Sequence, residues 1–548
     1  MRIACRKCLC IAVLAAVWLQ AWNGSQASAG DKTAKSSNRN PVPVAAAIDR
    51  HIEARLSLAK VAPSPQSDDA EFLRRAALDI TGRIPTAERT AAFLGDRSPE
   101  RRAKLVDELL ADRLYGEHFA TAWYHRMIKP DNDNKRLILG NTLQDWLADR
   151  FNKNQTWNRL VTDLMTASGK RDDKPETTFF LAYVVTGQPV PSKITAAASR
   201  LFLGVRLECC ECHNHPFTKL QQTEFWELAA FFTAARGIDR TSKVPRIYDS
   251  VLPNPLSKSG ENDSAPVGSI VIPDSNGQIV QAKFLGGGEP MSSPPEQLRT
   301  QLAAWLTSSS NRWFSRAAVN RLWANFFGRG IVNPIDDMRP ESDSSHPELL
   351  QLLAEEFAAS GFDQKHLIRC ICLSQTYQRS SRVLPENTDS DFLYSHMPLK
   401  MMTADMLFDS LGTALDHPVA VQVFEEGRMK ARKGADSPQV QFRKFFRAEA
   451  DDDAGVVEGY THGVPQVLRL MNEELVNDTA AVVARLMQVE GSSEQIIEGL
   501  YLRVLSRKPT PAEIKRMTAY VAGEQHATKA YADLMWVLLN SGEFVFNH

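Results

Sequence analysis

The sequence has few cysteines, no excess of either charge and only one long apolar run. Its 548 residues carry a formal net charge of −1, whereas a nucleic-acid-binding protein usually has a clear basic excess. Eight cysteines are present, and three fall within the first ten residues. A disulfide-stabilised secreted fold has more cysteines, spread along the chain. A hydrophobic fraction of 43% and a charged fraction of 24% are typical of a globular protein, and the length predicts more than one domain.

The apolar run lies at the N-terminus and has the features of a secretory signal. A basic start at residues 2–7 precedes the apolar residues 8–21, and Ala27-Ser28-Ala29 matches a cleavage site. We expect residues 1–29 to be removed on export to the periplasm or the extracellular space. The alternative is an uncleaved membrane anchor, although the run is short of the ~20 residues that a spanning helix needs. No later stretch is long enough to span a membrane, so none is expected after signal removal.

Signal removal changes both the charge and the cysteine content. It takes away three positive charges and no acidic residue, so the net charge falls from −1 to −4. Five cysteines remain, at positions 209, 210, 212, 370 and 372. Clustering of this kind indicates a site rather than a disulfide framework.

Hydrophobic periodicity predicts a mainly α-helical protein in which a small β-rich segment joins two helical domains. Residues 30–45 are polar and are predicted to form a flexible leader. The helical pattern covers residues 46–236 and returns over residues 295–548. Residues 237–294 are rich in Ser, Pro, Gly and Asn, and contain β-prone runs at 268–272 and 278–284.

Capping residues predict individual helix boundaries. Gly82 is expected to end a helix over residues 72–81, and Gly204 to end another. The predicted helix starts are Thr86, Ser98-Pro99, Ser192, Thr223 and a capping box at Ser345–Glu348.

Three of the remaining cysteines and two histidines fall within residues 208–217. Cys209, Cys212 and His213 satisfy C-x-x-C-H, the attachment signature of c-type haem. Covalent attachment needs two thiols that reach two vinyl groups and an adjacent imidazole that becomes an iron ligand. The cluster is predicted to lie in a turn between two amphipathic helices. For the sixth iron ligand the sequence offers His118, His125, Met401, Met402 and Met471.

Two other chemistries use the same cluster. Cys209, Cys212, His213 and His215 supply a two-sulfur, two-nitrogen set for a zinc, iron or copper ion, and Cys210 adds another thiol ligand. Alternatively, Cys209 or Cys210 pairs in a disulfide with Cys212 or with a cysteine of the second half, Cys370 or Cys372. Cys210 also complicates haem attachment, because a third thiol can form a wrong disulfide during maturation.

Elsewhere the sequence offers little catalytic chemistry. It has no convincing nucleophile elbow, phosphate loop, dinucleotide fingerprint or H-E-x-x-H motif. His346 is expected to be a helix-start residue. Asp336 and Asp337 are expected to be solvated turn carboxylates rather than cation ligands. No reaction is therefore predicted.

Long motifs in both halves resemble a known family. The first-half motifs are Leu78-Asp79-Ile80-Thr81-Gly82-Arg83-Ile84-Pro85-Thr86, Tyr115-Gly116-Glu117-His118 and the Cys209–Phe217 segment. The second-half motifs are Val319–Trp323, Phe327–Gly330, Ser345–Leu350, Ser374–Tyr377 and Asn540–Phe544. Together they resemble the planctomycete cytochrome-like family of exported proteins, in which domain of unknown function 1549 is followed by domain of unknown function 1553.

The resemblance implies export and a cytochrome-like role through the Cys/His motif, but no established reaction. The expected function is therefore haem-c-linked electron transfer or redox chemistry, with other exported redox proteins as partners. The alternative is an exported binding or structural protein, stabilised by a non-haem metal or a disulfide, that acts on extracellular polymers. Nucleic acid is not expected as a partner under either interpretation.

Overall fold

A computed structural model of the chain is mainly α-helical, as the sequence predicts. It describes residues 39–128, 141–185, 187–216, 218–237, 245–251, 265–291, 294–338, 344–388, 391–416, 442, 445–446, 464–472, 474–477, 479–489 and 491–548. The predicted signal, residues 1–29, lies outside these ranges. Within them, every helix is too short or too polar to cross a bilayer.

The helices form two series separated by a segment with short strands. The first series comprises α1 Val42–Ala59, α2 Asp69–Thr81, α3 Ala87–Gly95, α4 Arg101–Ala111, α5 Arg113–Met127, α6 Thr142–Asn152, α7 Trp157–Met165, α8 Thr178–Leu181, α9 Pro191–Ala198 and α10 Gln222–Ala229. The second comprises α11 Leu298–Leu306, α12 Arg312–Phe327, α13 Pro347–Ala359, α14 Gln364–Cys372, α15 Ala404–Leu415, α16 Val464–Asn472, α17 Glu474–Asn477, α18 Ala480–Val489, α19 Ser493–Val504, α20 Pro511–Gly523, α21 Ala527–Leu539 and α22 Gly542–Val545.

The strands are short and pair antiparallel. They are β1 Gly169–Lys170, β2 Val184–Val185, β3 Gln188–Pro189, β4 Ala235–Arg236, β5 Arg246–Asp249, β6 Ser269–Val271, β7 Ile279–Gln281, β8 Lys400–Met401 and β9 Phe546–Asn547. The strands β6 and β7 form a hairpin within the predicted β-prone runs, with Ile270 opposite Val280. In contrast, β5 pairs with β1 and β4 of the first helical series. The β-rich segment is therefore tied into the first half through β5.

Local chemistry explains where α2 ends and α3 begins. Gly82 follows α2 with a φ of 72°, in the left-handed region that favours glycine. A Cβ at this position would lie 2.4 Å from Nδ1 of His118, so the close approach also requires glycine. Thr86 then caps α3 by accepting from the amide of Arg89. Both boundaries agree with the sequence prediction.

Four other predicted helix starts are wrong by one or two residues. The helix α4 begins at Arg101 rather than at Pro99, and α9 begins at Pro191 with Ser192 inside it. The N-cap of α10 is Gln221, whose backbone amide donates to the Glu224 carboxylate at 2.9 Å, rather than Thr223. At α13 the N-cap position is His346, because the Ser345 hydroxyl instead donates to the carbonyl of Ile331. A competing hydrogen-bond partner of this kind is not visible in sequence.

Residues 39–45 of the predicted leader, residues 30–45, are described by the structure, and the earlier ones lie outside the described ranges. Arg39 makes two hydrogen bonds to the Glu356 carboxylate, at 2.8 and 2.9 Å, and α1 begins at Val42. Ala45, near the end of the predicted leader, is buried. Its last residues are therefore part of the fold.

Two hydrophobic cores organise the described residues, and both contain side chains from before and after residue 295. The first core runs from Ile48 to Met397 and includes side chains from both helical series. The second is built from described side chains between Met402 and Val545, together with Leu78 and Ile84 of the first half. The end of α2 and the loop after it thus reach into the second core.

Candidate functional site

The Cys/His segment forms a tight turn that separates its three cysteines. Residues Glu208–Glu211 are a 3₁₀ helix, and Cys212 follows immediately. A 3₁₀ helix has three residues per turn, so side chains at i and i+3 eclipse each other. Cys209 and Cys212 therefore lie along one edge of the turn, and both are exposed. Two accessible thiols on one edge suit attachment to a single planar ligand.

Cys210 points to the opposite side of the turn. It is buried in the first core, with its Sγ 3.9 Å from the carbonyl of Leu220. Burial raises the pKa of the Cys210 thiol to about 11, so it stays protonated at neutral pH. The structure thus removes Cys210 from the exposed edge. A wrong disulfide between Cys210 and Cys209 or Cys212 is therefore disfavoured in the folded chain, because the Cys210 thiol is buried. The C-x-x-C-H pattern alone does not reveal this burial.

His213 follows the cysteines and is exposed, with one ring nitrogen engaged. Its Nδ1 lies 2.7 Å from the backbone carbonyl oxygen of Asn214. A carbonyl only accepts, so the Nδ1 of the imidazole must carry the proton and donate. In the neutral ring this leaves the lone pair on Nε2, the arrangement found in histidines that ligate metals.

Helix α10 fixes the shape of the turn through one carbonyl group. The Glu211 carbonyl accepts from Nε1 of Trp226 at 3.0 Å and from Nε2 of Gln222 at 3.2 Å. The backbone amide of Gln222 in turn donates to Oδ1 of Asn214 at 2.9 Å. Sequence reasoning missed these three positioning residues. A Trp and a Gln on one face of the helix that follows a ligand turn are a weak signal that fits this role.

The second half supports the other end of the turn. After α9, a π-helical turn at Ser199–Leu203 ends at Gly204, whose carbonyl accepts from the amide of Met338 at 2.8 Å. Val205 pairs with Asp337 in an isolated β-bridge. The prediction that Gly204 ends this helical stretch is correct.

Charged side chains strengthen this support. Arg321 donates to the Arg200 carbonyl at 3.1 Å and forms a buried ion pair with Asp336. Asp336 is therefore not the solvated turn carboxylate expected from sequence. Nε of Arg200 lies 3.8 Å from Oε1 of Glu208, the residue that precedes Cys209.

The metal-ligand set predicted at the turn is not assembled. Among the described residues, no three or more His, Cys, Asp or Glu side chains are arranged to hold a metal ion. Cys210 is buried whereas His213 is exposed, and His215 is half-buried, with its amide donating to the carbonyl of Leu220. Zinc, iron or copper binding at Cys210, His213 and His215 stays a prediction.

Three of the residues predicted as sixth iron ligands lie near the second core. Nε2 of His125 is 3.3 Å from Oδ2 of Asp405, at the start of α15. Met402 is buried in the second core, and Met401 packs against it. His118 lies beneath Gly82, and burial lowers its pKa to about 4, so its ring is neutral. The identity of a sixth ligand stays a prediction.

The other two cysteines of the described residues, Cys370 and Cys372, are buried in α14, and all five cysteines in the described part of the chain are free thiols. Cys370 lies 3.6 Å from Nε2 of His366, and the same nitrogen is 2.8 Å from Oε1 of Glu356. A nucleophilic triad uses one ring nitrogen for the nucleophile and the other for the carboxylate. Burial also raises the pKa of Cys370 to about 12. This cluster is consequently a buried contact rather than an activated nucleophile.

The first-half motif around α2 forms a buried charged contact with the second half. Oδ1 of Asp79 accepts from Nζ of Lys400 at 2.5 Å and from Nδ2 of Asn547 at 2.7 Å, while Oδ2 accepts from the Tyr377 hydroxyl at 2.8 Å. The adjacent Arg74 and Arg75 donate to backbone carbonyls of the second half. These motif residues therefore hold the halves together.

Comparison with known families identifies both halves of the chain. Residues 47–236 match PSCyt2, described as a protein of unknown function (DUF1549). Residues 298–521 match PSD1, described as a protein of unknown function (DUF1553). None of the curated proteins and none of the solved structures compared with the chain matches it. The chain thus contains domain of unknown function 1549 followed by domain of unknown function 1553, in the order that its motifs indicate.

Proposed function

We propose that the protein is exported and that its Cys209–His213 turn carries covalently attached haem c, used for electron transfer or related redox chemistry. The observation that carries the proposal is the exposed edge of the 3₁₀ turn, with Cys209 and Cys212 one turn apart. The N-terminal signal pattern supports export, because haem is attached to such motifs outside the cytoplasmic membrane.

The residues of the turn fit a covalently attached haem in three respects. Both thiols of C-x-x-C-H are exposed, the intervening thiol is buried, and the Nδ1–H of His213 is donated to a carbonyl. Cys209 and Cys212 would form the thioether links, and His213 would ligate the iron through Nε2. Bound haem would supply one-electron redox chemistry.

The protein's own contribution is to orient the ligand and set its surroundings. Hydrogen bonds from Gln222 and Trp226 hold the turn, and the guanidinium of Arg200 places a positive charge close to Glu208 beside it. Nearby charge and hydrogen bonding to the axial ligand are the features by which proteins adjust a haem potential.

The test is expression of the full-length precursor in a host that matures c-type cytochromes. We expect the denatured, reduced protein to show a covalent haem absorption band and the corresponding increase in intact mass. Cys209→Ser and Cys212→Ser should each lose the doubly linked product. Cys210→Ala is the matched control at the neighbouring position, and it should keep both the band and the mass increase.

Absence of the band and of the mass increase, in a host that matures a known cytochrome c in parallel, would overturn the proposal. Retention of the doubly linked product by Cys209→Ser would equally contradict the assignment of that thiol. Metal analysis and thiol counting on the same haem-free sample would then identify a metal ion or a disulfide at the turn.

A further inference from the structure

Asn214 links the exposed histidine of the turn to helix α10. Its carbonyl oxygen lies 2.7 Å from Nδ1 of His213, and its side-chain Oδ1 accepts from the amide of Gln222 at 2.9 Å. The side chain of Gln222 returns to the Glu211 carbonyl on the other side of His213. Hydrogen bonds therefore connect both flanks of His213 to the first turn of one helix.

This arrangement restricts the tautomer of His213. The peptide unit of Asn214 is held because its side chain satisfies one of the free amides at the start of α10. With its position fixed, the carbonyl presents an acceptor to Nδ1 of His213. A ring that donates from Nδ1 offers Nε2 as its only lone pair.

The helix itself is well anchored, which makes the restraint effective. Trp226 and Phe225 of α10 are buried in the first core, and at the start of α10 the Glu224 carboxylate accepts from the amide of Gln221 at 2.9 Å. The exposed His213 thus receives its orientation from a rigid element. Hydrogen bonds of this kind also raise the basicity of a ligating imidazole.

We infer that Asn214 is the positioning residue of His213, fixing its Nδ1–H tautomer so that Nε2 faces outward as the ligand atom. The role as a ligand rests on the proposed function, whereas the tautomer is a property of the haem-free chain. The two parts can therefore be tested separately.

The first experiment uses the haem-free mature chain with ¹⁵N-labelled histidine imidazoles. His213→Gln assigns the His213 resonances, and the nitrogen shifts report which ring nitrogen is protonated. We expect the Nδ1–H tautomer in the unmodified chain. Asn214→Ala should lower the ratio of Nδ1–H to Nε2–H about fivefold, which corresponds to one hydrogen bond of about 1 kcal/mol.

Two variants separate positioning from general disturbance of the loop. Asn214→Asp keeps an oxygen acceptor for the Gln222 amide and should restore the tautomer ratio. Thr218→Ala removes a different acceptor of the same loop, the one that receives the Leu220 amide, and should leave the ratio unchanged. An Nε2–H tautomer in the unmodified chain, or an unchanged ratio in Asn214→Ala, would overturn the inference.

The second experiment measures the midpoint potential of the haem-loaded chain. Weakening the Nδ1 hydrogen bond makes the imidazole a poorer donor, which destabilises ferric iron. Asn214→Ala should thus shift the potential in the positive direction, and Asn214→Asp and Thr218→Ala should shift it less. Equal shifts in all three would contradict the positioning role. If no haem attaches, the proposed function fails while the tautomer result still decides the role of Asn214.

Discussion

Replacement of Asp79 by Asn tests whether the buried contact between the two halves stabilises the fold. The Asp79 carboxylate accepts from Lys400, Tyr377 and Asn547, and the Lys400 ammonium also donates to two backbone carbonyls. Burial lowers the pKa of Lys400, and the Asp79 charge opposes that shift. In Asp79→Asn the ammonium loses its buried counter-charge.

The expected cost follows from the burial of both partners. The Lys400 side chain is 14% exposed and the Asp79 side chain is 3% exposed, so solvent screens this ion pair less than it screens a surface pair. Removing one member of a buried ion pair typically costs about 3–5 kcal/mol, because the other charge is left uncompensated. Asp79→Asn should fall in that range. The double variant Asp79→Asn with Lys400→Met should recover part of the loss, since no unpaired charge remains.

Urea unfolding of the mature chain, followed by far-UV circular dichroism and tryptophan fluorescence, measures the loss. Coincidence of the two curves shows whether one free energy describes the transition. The matched control is Arg485→Met, which removes a 3.2 Å pair with Asp416 whose side chains are 54% and 62% exposed. That change should cost at most about 1 kcal/mol. A cost for Asp79→Asn no larger than the control would refute the reasoning.

Three further predictions test the turn and the interface between the halves. In the haem-free, reduced chain, brief alkylation at neutral pH should modify Cys209 and Cys212 and spare the buried thiols, as read by peptide mass; rapid labelling of Cys210 would contradict the turn geometry. Gly82→Ala should destabilise the fold by more than 1 kcal/mol, since a Cβ would meet His118 and the left-handed φ disfavours alanine; an unchanged melting temperature would contradict this. Burial raises the pKa of Glu117 from 4.5 to about 7, so the free energy of unfolding should fall as the pH rises between these values. The expected fall is about 1–2 kcal/mol after allowance for solvent contact. Glu117→Gln should flatten that part of the stability–pH profile, and an unaltered profile would exclude Glu117 as its cause.

Sequence patterns predicted the parts of the fold that depend on local chemistry. The boundary at Gly82 and the cap at Thr86 follow from glycine and threonine, and both are confirmed. The β-prone runs at 268–272 and 278–284 are confirmed as well, because they contain the paired strands β6 and β7. Thr223 and Ser345 are good capping residues, but neither caps its helix. The N-cap of α10 is Gln221, and the Ser345 hydroxyl donates to the carbonyl of Ile331 instead. A capping side chain can hydrogen-bond either to its own helix or to another part of the fold, and the sequence alone does not show which bond forms.

The candidate site shows the same division between local and long-range information. The sequence predicted that Cys209, Cys212 and His213 lie in a turn between two helices, and the 3₁₀ turn at Glu208–Glu211 does lie between α9 and α10. The burial of Cys210 depends on the Leu220 loop and the first core, so it was not predicted.

Other long-range contacts join the two matched domains. Asp79 lies in the first matched domain, and its partner Lys400 lies in the second. Near the Cys/His turn, Arg321 of the second domain holds the Arg200 carbonyl. A first domain produced alone would therefore expose the charge of Asp79 and lose part of the support of the turn. It follows that the geometry of the proposed haem site depends on the second domain, although that domain contributes none of the three residues of C-x-x-C-H.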